Sequence, residues 1–163
     1  MIDKINFLFV TLFGIGKIKK IPGSVASLAT TIFLFFLLHM LKIPANFILV
    51  FVIIIFFISL YAVNIFIKNL DNKDPKEVVI DEFIGQSIPI CLYEIAHEGA
   101  KETSQVLTSY FIMFVLFRVF DITKPFPVSY YEKNFKNSLG VIMDDVCAGL
   151  YVVLILVLYM VFT

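Results

Sequence analysis

Five acidic side chains are the residues of this sequence whose types and positions best suit chemistry: Asp81, Glu82, Asp121, Asp144 and Asp145. Each of them lies at or beside the end of a long apolar run. A carboxylate close to hydrocarbon is costly unless it has a counter-ion, a metal ion or another polar partner. If the chain brings the five acids together on one side of a membrane, the sequence predicts a functional site there.

Two cations, Arg118 and Lys124, flank Asp121 at intervals of three residues. On a helix this spacing keeps the three side chains near one face. Such an arrangement suits a phosphate group bound beside a metal ion, because the cations can hold phosphoryl oxygens while the acid holds the ion. The pattern is also typical of cations that reach lipid headgroups and form a salt bridge with the acid between them.

The other four acids form two adjacent pairs, Asp81 with Glu82 and Asp144 with Asp145. Neighbouring carboxylates repel each other unless a cation neutralises them, and a divalent metal ion does so most directly. The alternative for both pairs is a purely structural role at a helix N-terminus, where the helix dipole favours acids.

A Pro-Gly-Ser turn at residues 22–24 precedes the first apolar run. Ser24 or Ser27 can cap the helix that follows. Free backbone N–H groups at a helix start also favour an anion such as phosphate. The sequence therefore leaves two interpretations of this turn open, a plain helix cap and a phosphate-binding element.

The composition indicates a membrane protein. The 163 residues are 60% hydrophobic and 16% charged, with a mean hydropathy of +0.96, whereas soluble domains are about 45–50% apolar. We expect a single domain over residues 1–163 and an all-α fold, a compact bundle with about four to five membrane-embedded helices. The net charge of zero gives no bulk support for binding nucleic acid, and no obligatory protein partner is indicated.

Five apolar runs are predicted to cross the membrane, at residues 25–41, 47–67, 83–96, 106–120 and 146–162. The second is the clearest, because its length without a charge is enough to cross a bilayer. The third is the weakest, because Pro89 interrupts it. Residues 5–15 are interpreted as an interfacial segment that stays on the protein, since no small-residue cleavage site follows them.

Charge sets the expected orientation. With five spans and a cytoplasmic N-terminus, only Lys42 and Lys101 of the 13 Lys and Arg residues fall outside, which matches the positive-inside rule. The same threading places all five acids and residues 22–24 at the cytoplasmic face. This convergence depends on residues 83–96 crossing the membrane.

The remaining polar side chains are given structural roles. Glu94, Glu98 and Glu102 fall in an outer loop that is interpreted as a solvated connector. Both histidines lie away from the acids, and both cysteines lie in apolar runs. All four are predicted to be structural: His39, His97, Cys91 and Cys147.

Four blocks of the sequence resemble the phosphatidylglycerophosphatase A family in order and spacing: residues 21–28, 80–85, 117–127 and 140–149. The resemblance implies an all-helical, multi-pass, magnesium-dependent lipid phosphatase of the bacterial inner (cytoplasmic) membrane, with its active site facing the cytoplasm. Its phospholipid substrate in the membrane would be phosphatidylglycerophosphate, hydrolysed to phosphatidylglycerol and phosphate in phospholipid biosynthesis.

The residues and the resemblance together give a set of candidate roles. Water attack on metal-bound phosphate is the expected route, because neither cysteine has the arginine spacing of a Cys-based phosphatase, although an attacking carboxylate stays open. Glu82, Asp81 and Asp121 are the candidate catalytic residues, with Glu82 as general base or as an orienting acid. The candidate Mg²⁺ ligands are Asp81, Asp121, Asp144 and Asp145, and the candidate substrate-binding residues are Gly23, Ser24, Ser27, Arg118 and Lys124.

Two other functional classes fit part of the pattern. A small transporter or channel could use interfacial acids to relay protons or bind cations, and it predicts acids near the middle of the bilayer along a path. A lipid transferase could use the same metal chemistry.

Overall fold

The computed structural model describes residues 2–68, 70, 72, 75–97 and 102–162. Helices and turns, without a strand, make up this part of the chain, which confirms the all-α prediction. The α-helices are α1 (Ile2–Val10), α2 (Pro22–Phe35), α3 (Ala45–Ile67), α4 (Ile80–Ala96), α5 (Thr103–Thr123), α6 (Val128–Asn134) and α7 (Ser138–Phe162). Lys73, Glu98 and Lys101 lie outside the described residues, as does the side chain of Lys133.

Four helices of the described chain are long and apolar enough to cross a membrane. They are α2 extended by a π-helical turn (Pro22–Met40), α3, α5 and α7. The predicted runs at residues 25–41, 106–120 and 146–162 were too short at their N-terminal ends. A helix continues through polar residues for as long as its backbone hydrogen bonds continue, whereas an apolar run ends at the first charge.

The third predicted span, α4, has only 17 residues and is the central helix of the bundle. It packs against α2, α3, α5 and α7, and most of its side chains from Ile80 to Cys91 are buried. Because its neighbours are protein rather than lipid, it can carry more polar side chains than a lipid-facing span. Pro89 lies inside this helix without ending it.

Contacts at the end of the bundle away from the five acids show that α4 runs through the bundle. His39 near the end of α2, Glu94 near the end of α4 and Tyr110 near the start of α5 meet there. The Glu94 carboxylate lies 3.4 Å from His39 Nε2 and accepts a hydrogen bond from the Tyr110 hydroxyl at 3.1 Å. The prediction that Glu94 belongs to a solvated connector was wrong. Its carboxylate is paired with His39 and Tyr110 on other helices, so it can lie inside the bundle without being solvated.

The N-terminal segment folds back against the bundle. Asn6 donates a hydrogen bond to the carbonyl of Ala62 at 3.1 Å, so α1 lies along the second half of α3. After α1 the backbone turns through left-handed conformations at Leu12 (φ 45°), Phe13 (φ 56°) and Gly14 (φ 99°). We call α1, this turn and the short 3₁₀ helix Ile15–Lys17 the N-terminal hairpin, residues 2–17. The Val79 N–H donates to the Val10 carbonyl at 3.0 Å, which fixes the N-terminal hairpin to the segment that leads into α4.

Two glycines allow α4 and α7 to cross with their backbones in contact. A Cβ on Gly85 would lie 2.6 Å from the carbonyl oxygen of Asp145 and 2.8 Å from the Phe117 ring. A Cβ on Gly149 would collide with the Gly85 carbonyl. The two backbones therefore approach closely at Gly85, and small residues at a helix crossing serve this purpose in membrane bundles.

Adding one methyl group at this crossing should destabilise the protein. We expect Gly149→Ala to lower the free energy of unfolding by about 1–3 kcal/mol, because α7 must move away from α4. Thermal unfolding in detergent, compared with Leu150→Ala at an exposed position of the same helix, measures the effect. A melting temperature equal to that of the parent would show that the crossing is looser than described.

Candidate active site

All five acids named in the sequence analysis line one cavity of about 410 Å³ at the end of the bundle where α2, α4 and α7 begin. Ser24, Gly23, Arg118 and Lys124 line the same cavity. The threading that predicted this convergence required α4 to run opposite to α3 and α5, and it does. The cavity is lined by residues 21–24, Pro75, Lys76, Val78, Asp81, Glu82, Arg118, Asp121, Ile122, Lys124, Asp144 and Asp145.

Three of the acids form the tightest group. Asp81, Glu82 and Asp145 each offer a carboxylate oxygen, and these oxygens lie within 4.8 Å of one another. Asp81 and Asp145 are buried, with 7% and 3% of their surface exposed, and Glu82 Oε2 is buried without a hydrogen-bond partner. Carboxylates this close and this buried cannot all be ionised without a positive charge between them. All-oxygen ligands of this kind suit Mg²⁺.

The other two acids are paired with the two cations. Asp121 forms a salt bridge with Arg118 at 2.8 Å, and Asp144 forms one with Lys124 at 3.1 Å. The candidate metal ligands thus divide into two sets in the structure. Asp81 and Asp145 lie with Glu82 in the tight group, whereas Asp121 and Asp144 lie beside it and hold the cations. Glu82, predicted as a base or orienting acid, has the geometry of a ligand.

Asp144 and Asp145 do not lie at a helix start. The helix α7 begins at Ser138, so the two acids are its seventh and eighth residues. A capping role, which the sequence left open for this pair, is therefore wrong. Their position is set by the α4–α7 crossing, because the carbonyl of Asp145 packs against Gly85 one turn after Asp81.

The Pro-Gly-Ser segment is the first turn of α2 rather than a turn before it. Pro22 occupies the first helical position, where its missing N–H costs nothing. No side chain caps this helix, so the predicted capping by Ser24 or Ser27 was wrong. The first N–H groups of a helix have no intrahelical partner, and here they include those of Gly23 and Ser24.

Gly23 and Ser27 shape the site in different ways. A Cβ on Gly23 would collide with the Glu82 carboxylate, so a larger residue would move that acid from its present place against α2. Ser27 is fully buried and does not line the cavity. Its hydroxyl donates to the Gly23 carbonyl at 2.9 Å and accepts a hydrogen bond from Arg118 Nη1 at 3.3 Å. The structure thus shows Ser27 in contact with Arg118, and its predicted role in substrate binding stays a prediction.

A sequence profile of known proteins decides the family. The profile named Phosphatidylglycerophosphatase A matches residues 8–160. The chain belongs to the phosphatidylglycerophosphatase A family. This family of phosphatases is the one that the four sequence blocks resemble, so the expected family is confirmed.

Individual relatives agree over most of their length. The chain is 32% identical over 155 residues to a Haemophilus influenzae protein named phosphatidylglycerophosphatase A, covering 95% of this chain and 88% of that protein. It is 28% identical to the Escherichia coli protein of the same name, covering 84% of this chain and 73% of that protein.

A relative with a different name matches equally well. A Bacteroides thetaiotaomicron protein, provisionally named phosphatidylinositol-3-phosphatase, is 33% identical over 146 residues, covering 88% of this chain and 86% of that protein. No solved structure matches the chain.

One cavity residue that sequence reasoning missed is Lys76. It lies between apolar runs, where a lysine is usually a solvated surface residue. The only available signal was its position five residues before Asp81. Residues 75–79 are held against the N-terminal hairpin, and this brings Lys76 to the cavity. The contact joins parts of the chain that are distant in sequence, so the local sequence does not predict it.

The tight carboxylate group should bind a divalent cation in the purified protein. We expect millimolar Mg²⁺ or Mn²⁺ to raise the melting temperature of the parent, since a ligand that binds only the folded state stabilises it. Asp145→Asn should lose this shift. Glu94→Gln, a nearly buried acid at the other end of the bundle, should keep it. An unchanged shift in Asp145→Asn would remove that residue from the cation site.

Proposed function

We propose that the protein hydrolyses the terminal phosphomonoester of phosphatidylglycerophosphate, using Mg²⁺, in the inner membrane of a bacterium. The observation that carries this proposal is the meeting of the tight carboxylate group with Arg118 and Lys124 in one cavity. Carboxylates for a metal ion and cations for phosphoryl oxygens are the two requirements of metal-assisted phosphate transfer. Family membership supports the reaction class.

The residues present fit Mg²⁺. Asp81, Glu82 and Asp145 would hold the ion, and the buried Glu82 Oε2, which has no hydrogen-bond partner, suits a metal ligand. When bound, Mg²⁺ supplies charge neutralisation at the phosphoryl group. Asp121 and Asp144 would remain close enough to orient the cations and to accept protons from water.

Arg118 would bind the phosphate. Its guanidinium has five N–H donors, and those on Nη1 already contact Asp121 and Ser27. Its Nε is buried without a hydrogen-bond partner. Because Asp121 and Ser27 fix the plane of the group, its remaining donors are directed before substrate arrives. Lys124, held by Asp144, would place a second positive charge beside them.

The first turn of α2 would complete the phosphate site. The N–H groups of Gly23 and Ser24 lie at the positive end of the helix dipole, and both residues line the cavity. Ser24 adds a hydroxyl. The cavity lining described by the structure contains neither cysteine nor histidine, so we propose direct attack by water, with Asp121 or Asp144, the acids that do not hold the ion, taking its proton.

The membrane placement is part of the proposal. In the described chain, the lysines at residues 17, 19, 20, 68, 76 and 124 lie at the acid end of the bundle or beside it. The positive-inside rule then favours an active site that faces the cytoplasm. The family profile covers residues 8–160, which supports a single domain.

The transporter alternative predicts acids along a path through the bilayer. The five acids instead line one cavity at one end of the bundle, and two cations lie among them. A phosphate site explains this arrangement better than an ion path does.

Phosphate release from purified protein in uncharged detergent tests the proposal. We expect release from phosphatidylglycerophosphate with Mg²⁺ and none with excess chelator. Phosphatidylinositol 3-phosphate belongs in the same assay, because a relative carries that name. Faster release from the inositol lipid would change the substrate and keep the chemistry. No release from either lipid by folded protein would bring the transporter alternative forward.

Loss of a single carboxylate should stop the reaction without unfolding the protein. We expect Asp121→Asn to reduce turnover by at least about 100-fold, because Arg118 loses its orienting charge and the site loses an acid. Insertion and melting temperature should stay near those of the parent. Retained activity would remove Asp121 from the machinery, and Glu102→Gln, at an exposed position, is the control.

A further inference from the structure

A second polar cavity lies beside the candidate active site. It encloses about 450 Å³, and its lining includes Lys17, Lys19 and Lys76 together with Phe7, Pro22 and Glu77. Pro22 and Lys76 also line the acid cavity. The two cavities are therefore neighbours that share two residues, and nothing in the proposed reaction uses Lys17 or Lys19.

The charge of the second cavity suits an anion. Three lysines face a single acid, Glu77, so the lining is positive on balance. The ammonium group of Lys17 lies 4.6 Å from the centre of the Phe7 ring. A contact of this kind holds the cation by the ring's negative face and limits its freedom.

The backbone around this cavity is fixed. A Cβ on Gly16 would collide with the Glu77 carbonyl, so the hairpin and residues 75–79 are in direct contact. The neighbouring Leu12 and Phe13 keep left-handed conformations that are unfavourable for their residue types. Strained residues persist where the surroundings hold them, and they cluster at ligand sites. The backbone that carries Lys17 is thus fixed against the segment that leads into α4.

An apolar groove of about 440 Å³ lies on the other side of the same hairpin. The hairpin contributes Phe9, Leu12 and Ile15, while Phe33 of α2 and Phe51 of α3 form the facing walls. Phe33 is about 16 Å along α2 from Pro22, at 1.5 Å per residue. The groove therefore extends away from the acid end of the bundle, parallel to the spans, as an acyl chain does.

We propose that the lysine cavity binds a second phosphate of the substrate, the phosphodiester that stays on the lipid. In phosphatidylglycerophosphate one glycerol separates the phosphomonoester that is removed from the phosphodiester that remains. The phosphomonoester would lie at the carboxylates and the phosphodiester at Lys17 and Lys19. The hydrocarbon would lie in the apolar groove on the other side of the N-terminal hairpin. This inference rests on the proposed function.

The cavity would make the site selective. Lipids with a headgroup beyond the phosphodiester, whether glycerol phosphate or inositol phosphate, present two phosphates in sequence. Phosphatidic acid has one phosphate and would leave the lysines without a ligand. The free energy gained at the lysines would therefore favour two-phosphate lipids over phosphatidic acid.

Soluble headgroups separate this subsite from general attraction to anionic lipids. The assay is inhibition of phosphatidylglycerophosphate hydrolysis in uncharged detergent by glycerophosphoglycerophosphate, with two phosphates, and by glycerol 3-phosphate, with one. The test variant is Lys17→Gln with Lys19→Gln. The control is Lys20→Gln, an exposed neighbour that does not line the cavity.

We expect the inhibition constant of the two-phosphate headgroup to rise about tenfold or more in the double variant, as the loss of charge-assisted hydrogen bonds implies. The inhibition constant of glycerol 3-phosphate should not change. The KM for the lipid should rise while kcat stays near the parent value. Lys20→Gln should behave like the parent in every respect.

Three results would overturn the subsite. Equal weakening of both inhibitors would place the lysines at the scissile phosphate. An equal effect of Lys20→Gln would indicate general electrostatic attraction. Unchanged inhibition constants and KM in the double variant would show that the cavity does not bind the substrate's phosphodiester, and another anionic lipid would become its candidate ligand. If the parent releases no phosphate, the proposed function fails. The subsite can still be tested, by comparing the melting-temperature shift that the two-phosphate headgroup causes in the parent and in the double variant.

Discussion

Repulsion between buried carboxylates is the constraint on which the rest of this structure depends. Asp81, Glu82 and Asp145 approach one another within 4.8 Å, and two of them are almost fully buried. Ionised carboxylates in such surroundings destabilise the fold unless positive charge is close. Arg118 and Lys124 form salt bridges with the other two acids, and a divalent cation held by the three carboxylates would neutralise their charge. A cation that binds only the folded state would stabilise the fold as well as the site.

Small residues rather than large ones bring this group together. Gly85 and Gly149 remove the side chains between α4 and α7, so acids on two helices can share one site. Gly23 does the same between α2 and α4, where the Glu82 carboxylate occupies the space of a side chain. The Ser27 hydroxyl then joins α2 to Arg118 on α5. Each contact that shapes the site is also a contact that packs two helices.

The fold and the meeting of the acids followed from the sequence because a membrane forces consecutive spans to alternate in direction. Charge and apolar length were then enough to place Asp81, Asp121 and Asp145 at one end. Which acid pairs with which cation could not be predicted, since this depends on helix rotation and side-chain rotamers. The pairing of Glu94 with His39 was missed for the same reason, because hydropathy along one helix contains no information about a partner on another. The start of α7 at Ser138 was missed because polar residues interrupt its apolar pattern.

The position of the site at the end of the bundle has a physical reason that links fold to substrate. A lipid phosphomonoester carries its charge at the membrane surface, so a site for it needs no polar path through the hydrocarbon, and a mostly apolar core can support it. The first turn of α2 lies between the acid cavity and the lysine cavity, and Pro22 lines both. The N-terminal hairpin lies between the lysine cavity and the apolar groove. Carboxylates, lysines and apolar walls thus follow one another around residues 9–24 in the order in which a two-phosphate lipid presents phosphomonoester, phosphodiester and hydrocarbon. A transporter would have no need for this order, because its ligand must leave by the opposite face.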